Sequence, residues 1–427
     1  MTAAAEAPLV SDAKRHVAVT SWKAPAIFAL FTVLFALLPL FGPRDGVSTF
    51  RLVADASAVI RLPDLVLPSN PTAWVCVVLM AAATVAAAAR ARAHRPQPLW
   101  LITAYVVFLL LGFLAWASAG GTLPMIGLLS GALALATPLI FGALGGVIGE
   151  RVGVVNIAIE AQLLAGAFSA ALVGSLTGTP WLGLVAAMLS GLLVSLVLAV
   201  FAVTYFVNQI IVGVVLNVLV IGLTTFFYGT LLNPNSDTLN SPELFPRIAV
   251  PLLSEIPVIG PVLFDQTVVV YLMYAVVFVV WFGLYRTRWG LRLRAVGEHP
   301  QAADTVGISV IATRYANVML AGAIAGMGGA FYTLVSNPQF GREMTAGAGF
   351  IALAALIFGK WDPIRATLAA LLFGFATNLQ GVLSVIGSPV PSQFMLMLPY
   401  VVTLFAVAGL VGRSRPPAAS GQPYIKS

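Results

Sequence analysis

The sequence predicts an all-α fold, a polytopic transmembrane bundle of about 10–12 spans, and three observations predict it. Apolar residues make up 60% of the chain and charged residues only 9%, with a mean hydropathy of +0.99; a soluble domain of this length needs far more charge to cover its surface. The apolar residues form continuous runs such as 124–146 and 180–203. Each exceeds the roughly 20 residues a helix needs to cross hydrocarbon, and neither shows the alternating segments of a membrane β-barrel. The basic residues sit in short segments between those runs, as in the loops of a multi-pass protein.

Taken in order, the spans fall at 24–42, 72–89, 99–118, 122–146, 155–176, 180–203, 208–232, 265–285, 314–336, 345–359, 366–387 and 394–412. The first run lacks a small-residue cleavage site after it, so it reads as a retained helix rather than a signal peptide. Lys14, Arg15 and Lys23 precede the first span, and Arg90, Arg92 and Arg95 follow the second. Arg286, Arg288, Arg292 and Arg294 follow the eighth, Lys360 and Arg365 the tenth, Arg413 and Arg415 the last. Twelve crossings put all these clusters on one side, which the positive-inside bias makes cytoplasmic, with both termini. The net charge of +7 is spread over these loops, so it marks membrane topology and no nucleic-acid partner is expected. Cys76 is the only cysteine and can form no internal disulfide.

The connections 43–71 and 233–264 lie on the opposite side; the second, beginning Asn233-Pro234-Asn235-Ser236-Asp237, is rich in turn formers. The chain divides into an N-terminal extension, 1–121, with about three transmembrane helices, a core over 122–412, and a short cytoplasmic tail over 413–427.

Three segments of the core carry information. In Gly149-Glu150-Arg151-Val152-Gly153-Val154-Val155-Asn156-Ile157-Ala158-Ile159-Glu160, charges and glycines interrupt an apolar stretch. The spacing predicts a backbone that turns or re-enters part-way through the membrane, tolerated there only against protein or a wet cavity. Asn156 and Glu160 are four apart and are expected to share a helix face. A carboxylate at that depth costs about 2.5–3.5 kcal/mol on insertion scales, leaving three readings open: a solvated helix end, a packing or gating role, or substrate contact. The second set is the amides Asn208, Asn217 and Asn378, which either join helices or line a polar path. With Asn156 and Glu160 they are the substrate-path candidates. Gly322 with Gly326, and Gly145 with Gly149, form small-xxx-small pairs for close helix contact.

The third segment, 286–313, is the longest cytoplasmic connection. Gly297 is expected to break the chain, Pro300 to sit in a first helical turn, and 301–306 to form a short amphipathic helix that Gly307 stops. A short capped helix shown to the cytosol suits docking of another protein.

Here a resemblance becomes specific. Gly297-Glu298-His299-Pro300-Gln301-Ala302-Ala303 with Gly307-Ile308 resembles the coupling loop of permease subunits in ATP-binding-cassette (ABC) importers, in the branch that includes ribose, branched-chain amino-acid and nucleoside permeases. The 149–160 segment is similar to that family's other hallmark, and Phe350-Ile351-Ala352-Leu353-Ala354-Ala355-Leu356-Ile357-Phe358-Gly359-Lys360-Trp361 resembles the nucleoside branch in particular. The family usually has glycine where this chain has Ala161, so backbone approach there is less close, and commonly asparagine where it has His299.

The resemblance implies a transport subunit, not an enzyme. Its ATPase-coupling residues would be Gly297, Glu298, Pro300, Ala302, Ala303 and Gly307. Its partners would be cytoplasmic ABC ATPase subunits, a second permease subunit, identical or different, and an extracytoplasmic substrate-binding protein. No cofactor is expected on this chain; ATP and Mg would be used by the partner ATPase. The residues agree, because Gly359-Lys360 is followed by Trp361 and residue 354 is Ala, which rules out a phosphate-binding P-loop. No metal-ligand cluster is evident in the sequence. The expected cargo is a neutral polar molecule, since the spans after residue 121 hold amides but almost no Lys or Arg away from their ends, whereas an anion is met by a cation or a helix N-terminus. The resemblance of 350–361 favours a nucleoside; the alternatives are a ribose-type sugar, a branched-chain amino acid, or an ion-coupled secondary transporter.

Overall fold

The computed structural model describes residues 22–53, 62–387, 391, 393, 394, 397 and 416–426. Lys14, Arg15, Arg413, Arg415 and nearly all of the twelfth expected span, 394–412, lie outside the described residues. The chain forms two compact units, one of residues 1–48 and 67–120, the other of 49–66 and 121–427.

The first unit contains α1 (Lys23–Phe41), α2 (Ser69–Arg92) and α3 (Leu99–Ala117). On α2, Ala73, Cys76, Met80, Ala83, Ala87 and Ala91 are buried, a stripe at three- and four-residue spacing that faces its neighbours. Gly112 of α3 meets it, since a Cβ there would lie 2.7 Å from Cys76 Cβ and 2.8 Å from Phe35 Cζ. Tyr105 stacks on Phe28 with centroids 4.0 Å apart and donates its hydroxyl to the Phe28 carbonyl at 2.7 Å.

The second unit contains α4 (Met125–Arg151), α5 (Ile159–Thr177), α6 (Pro180–Ala199), α7 (Gln209–Phe227), the short α8 (Ser236–Leu239) and α9 (Ile259–Leu263), α10 (Val268–Arg286), α11 (Arg288–Glu298), α12 (Pro300–Thr305), α13 (Val310–Phe331), α14 (Ala348–Phe358) and α15 (Pro363–Ile386). Buried share separates centre from periphery: 83% for the span on α4 and 78% on α13, against 33% on α6, α7 and α10. Val185, Leu189 and Leu193, four apart on α6, stay exposed and face lipid, as a membrane bundle requires. Lipid supplies no hydrophobic drive between helices, so small residues set the packing. A Cβ on Gly191 would fall 2.2 Å from the Gly322 carbonyl, one on Gly326 2.1 Å from that of Ala187, and one on Gly145 2.6 Å from that of Ala321.

Strands are few: β1 (Val47–Arg51), β2 (Leu65–Pro68), β3 (Thr122–Pro124), β4 (Arg247–Ala249) and β5 (Asp265–Thr267). Within the second unit Thr49–Arg51 pairs in parallel with β3, and β4 pairs antiparallel with β5.

Among the described residues, ten helices are long and apolar enough to cross a membrane. Two expectations need correction. The span at 345–359 is α14, only 11 residues or about 16 Å long, half of the roughly 30 Å hydrocarbon layer. The turn expected within 149–160 occupies 152–158, after α4 has continued to Arg151. Gly297 does not break the chain; it lies inside α11, which ends at Glu298 and is followed by His299 at φ −141°.

Candidate functional site

Both α5 and α14 start inside the bundle. Ile159, the first residue of α5, packs on Gly142 and Gly146 of α4; Gly142 is nine residues before the end of α4 at Arg151, about 14 Å along its axis. Ala352 of α14 meets Gly142 at the same level. The 152–158 turn climbs from the Arg151 end of the bundle to this depth. Residues 337–347 reach it from the opposite end, where the Asn240 carboxamide accepts from the Phe340 N–H at 2.7 Å and donates to its carbonyl at 3.0 Å.

A helix start carries N–H groups with no partner within the helix, and here neither helix caps itself: the flanking residues are Ala158 and Gly347, and neither gives a side-chain cap. Tertiary partners fill the role. Glu160 Oε1 accepts from Thr345 Oγ1 at 2.6 Å and from the Gly347 N–H at 3.0 Å, and Oε2 accepts from the Gly349 N–H at 2.6 Å. This one carboxylate, 4% exposed, lies in the first turn of α5 and at the first turn of α14, the positive ends of two helix dipoles. For α5, Asn217 of α7 supplies the cap, its Oδ1 accepting from the Ala161 N–H at 2.9 Å while its Nδ2 donates to the Ile157 carbonyl at 2.9 Å. Gly349 permits the junction, since a Cβ there would lie 2.3 Å from the Glu160 nitrogen.

Asn156 is held differently from the expectation. It lies in the turn, not on a helix face shared with Glu160, and exchanges two 3.1 Å hydrogen bonds with Gln162, which also donates to Ser195 of α6 at 2.7 Å. Asn208 is exposed and its Oδ1 caps α7, accepting from the Ile210 and Ile211 N–H groups; the residue reaching inward is Gln209, which accepts from the Val155 N–H at 2.7 Å. Asn378 donates to the Leu128 carbonyl at 2.7 Å and ties α15 to α4. The structure thus unites Asn156, Glu160 and Asn217 around the two helix starts and places Asn208 and Asn378 elsewhere. Gln209 belongs to the Asn208-Gln209-Ile210-Ile211 run that the sequence marks; Gln162 and Ser195 are additions from the structure, although a polar side chain in an apolar run was the available signal.

A second cluster forms at the Arg151 end. Trp361 Nε1 donates to Glu150 Oε2 at 2.5 Å and its carbonyl accepts from Arg151 Nε at 3.0 Å, so the loop after α14 is fastened to the end of α4. The expected coupling segment lies beside it. Gly297 passes so close that a Cβ would fall 2.0 Å from the Arg151 carbonyl. α11 is seated by Trp289, whose Nε1 donates to Asn317 of α13 at 2.9 Å. Pro300 opens α12 at its first position, Ala303 is its buried residue, and Gly307 takes φ +84° as the chain turns toward α13. Glu298, Gln301, Ala302, Thr305 and Val306 face outward, an exposed surface on a seated helix.

At the other end, Ser130, Phe245, Gln266, Phe331 and Ser336 line a cavity of about 530 Å³, with Arg247 at its wall directed at Asp265, 4.0 Å away. Among the described residues no group of acids, histidines and cysteines could hold a metal ion.

Comparison with known proteins places these features. The chain matches the family described as branched-chain amino acid transport system / permease component over residues 128–407. It is 44% identical over 307 residues to a guanosine ABC transporter permease protein of Bacillus subtilis, covering 69% of this chain and 95% of the relative. It is 42% identical over 308 residues to a nucleoside ABC transporter permease protein of Lactococcus lactis, with the same coverage. A putative glucose ABC transporter permease protein of Haloferax volcanii is 34% identical over 310 residues, 67% of this chain and 92% of the relative. No solved structure matches.

Proposed function

Because the chain belongs to the branched-chain amino acid transport system permease family, we propose that it is the membrane subunit of an ATP-driven importer whose cargo is a nucleoside. The similarity to the guanosine and nucleoside permeases over most of their length carries this reading. The chemistry supports it. The cavity wall sets hydroxyl, amide and aromatic groups among aliphatic ones, Ala134, Leu244 and Val335, a mixture that suits sugar hydroxyls and a base, and its Arg247 is set against Asp265.

In this reading α12 docks into a cytoplasmic ATPase subunit that holds ATP and Mg. A second permease subunit completes the pathway, and a substrate-binding protein delivers cargo at the cavity end. The Arg151 end of the bundle, with the coupling segment, faces the cytoplasm, in line with Arg286 at the end of α10, and the positive-inside bias makes both termini cytoplasmic. Closure of the ATPases moves α12 and biases the bundle between inward-open and outward-open states, to the extent that the nucleotide states differ in affinity for them.

The test is uptake of labelled uridine, adenosine, ribose and leucine by cells carrying the whole importer. Nucleoside uptake that fails when the ATPase is inactivated is expected. Uptake of leucine or ribose without nucleoside would refute the cargo and leave the importer reading standing.

A further inference from the structure

The last described residues, 416–426, lie beyond the family match, which ends at residue 407, yet they are built into the coupling segment. The Ala419 N–H donates to the Gly297 carbonyl at 2.9 Å and the Gly421 N–H to the Gly153 carbonyl at 3.3 Å. The Ala418 N–H donates to Glu298 Oε2 at 3.2 Å. Arg314, 1% exposed on α13, donates to the Gln422 carbonyl at 3.1 Å. Tyr424 is buried in the same core cluster as Ala303 of α12. One eleven-residue stretch therefore touches the end of α11, the docking helix, the 152–155 turn and the start of α13.

The coupling problem gives these contacts a use. α12 has six residues, about 9 Å, and shows most of its surface outward; its displacement reaches the bundle only through what it is fastened to. The tail joins it, through Tyr424 in the core cluster that holds Ala303, to the Gly153 turn, which leads into Asn156; Asn156 bonds to Gln162, and Gln162 in turn donates to Ser195. We propose that the C-terminal tail is a third limb of the coupling joint, a positioning segment that passes movement of the docking helix to the 152–158 turn and so to the start of α5. This rests on the importer reading above. A chain of bonded elements transmits only if breaking one link changes coupling, so the inference is open to direct test.

The experiment uses the whole importer in proteoliposomes, comparing wild type, Tyr424→Phe, Tyr424→Ala and a chain ending at residue 415. The variants are expected to assemble with the ATPase and hydrolyse ATP, while cargo moved per ATP falls about fivefold in Tyr424→Ala and the truncation, and less in Tyr424→Phe, which keeps the ring. Hydrogen exchange of the 153–158 amides supplies a readout independent of activity: in wild type it changes on ATP binding, and in Tyr424→Ala that ATP-dependent change is lost. Unaltered cargo per ATP, or an ATP-dependent change that survives in Tyr424→Ala, overturns the proposal. So does uptake that rises on truncation, which would make the tail a lid. A wild-type complex without ATP-driven uptake would overturn the importer reading together with this one.

Discussion

Glu160 and Gly349, 189 residues apart in the chain, are joined by a 2.6 Å hydrogen bond from the Gly349 amide to the Glu160 carboxylate. The bond joins two helices that both begin inside the bundle. Non-helical backbone at membrane depth survives only where protein satisfies it, and this carboxylate satisfies the start of α14 while sitting in the first turn of α5.

Glu160→Gln keeps the shape and removes one acceptor, turning an NH₂ toward an N–H or hydroxyl donor. Leaving a buried donor unsatisfied costs about 1–3 kcal/mol. A lowered melting temperature of the detergent-solubilised complex and loss of uptake are expected. Wild-type values in both measurements would show that the junction does not depend on the charge.

Glycines near the junction should respond according to their surroundings. Gly349→Ala places a Cβ 2.3 Å from the Glu160 nitrogen, whereas Gly381 in α15 has nothing within 4 Å. Gly349→Ala is expected to abolish stable expression or uptake. Gly381→Ala should be neutral or gain about 0.5–1 kcal/mol from helix propensity. Thermal melts of the two variants side by side check this.

The amides separate likewise. Asn208→Ala removes an exposed helix cap, worth about 1 kcal/mol. Asn217→Leu strips the Ala161 N–H and the Ile157 carbonyl of their partner at once and should destabilise by about 2 kcal/mol or more. Equal melting temperatures would contradict the trans-capping role of Asn217.

Trp361→Phe removes the donor to Glu150, a carboxylate 5% exposed. Leaving a buried polar group without its partner costs about 1–3 kcal/mol, so the variant should melt earlier and move less cargo per ATP. A melt and coupling ratio matching wild type would mean the 359–362 loop is held by other contacts.

Two terms were decided by the sequence itself. Membership in the membrane class follows from composition and run length, because hydrocarbon demands them locally and everywhere. The short helix α12 follows too, since Pro300 and Gly307 start and stop a helix through their own backbone chemistry. Glu160 and Asn156 stood out as polar residues in an apolar stretch, but their partners did not. Most donors to Glu160 are backbone N–H groups, which nearly every residue carries, so no side-chain pattern points to 345–349. Apolar helices also look alike on every face, so nothing local made α14 half a span or set the limits of the break within 149–160. Those features were decided only by tertiary structure, where a helix can start in mid-bundle because another helix brings its cap.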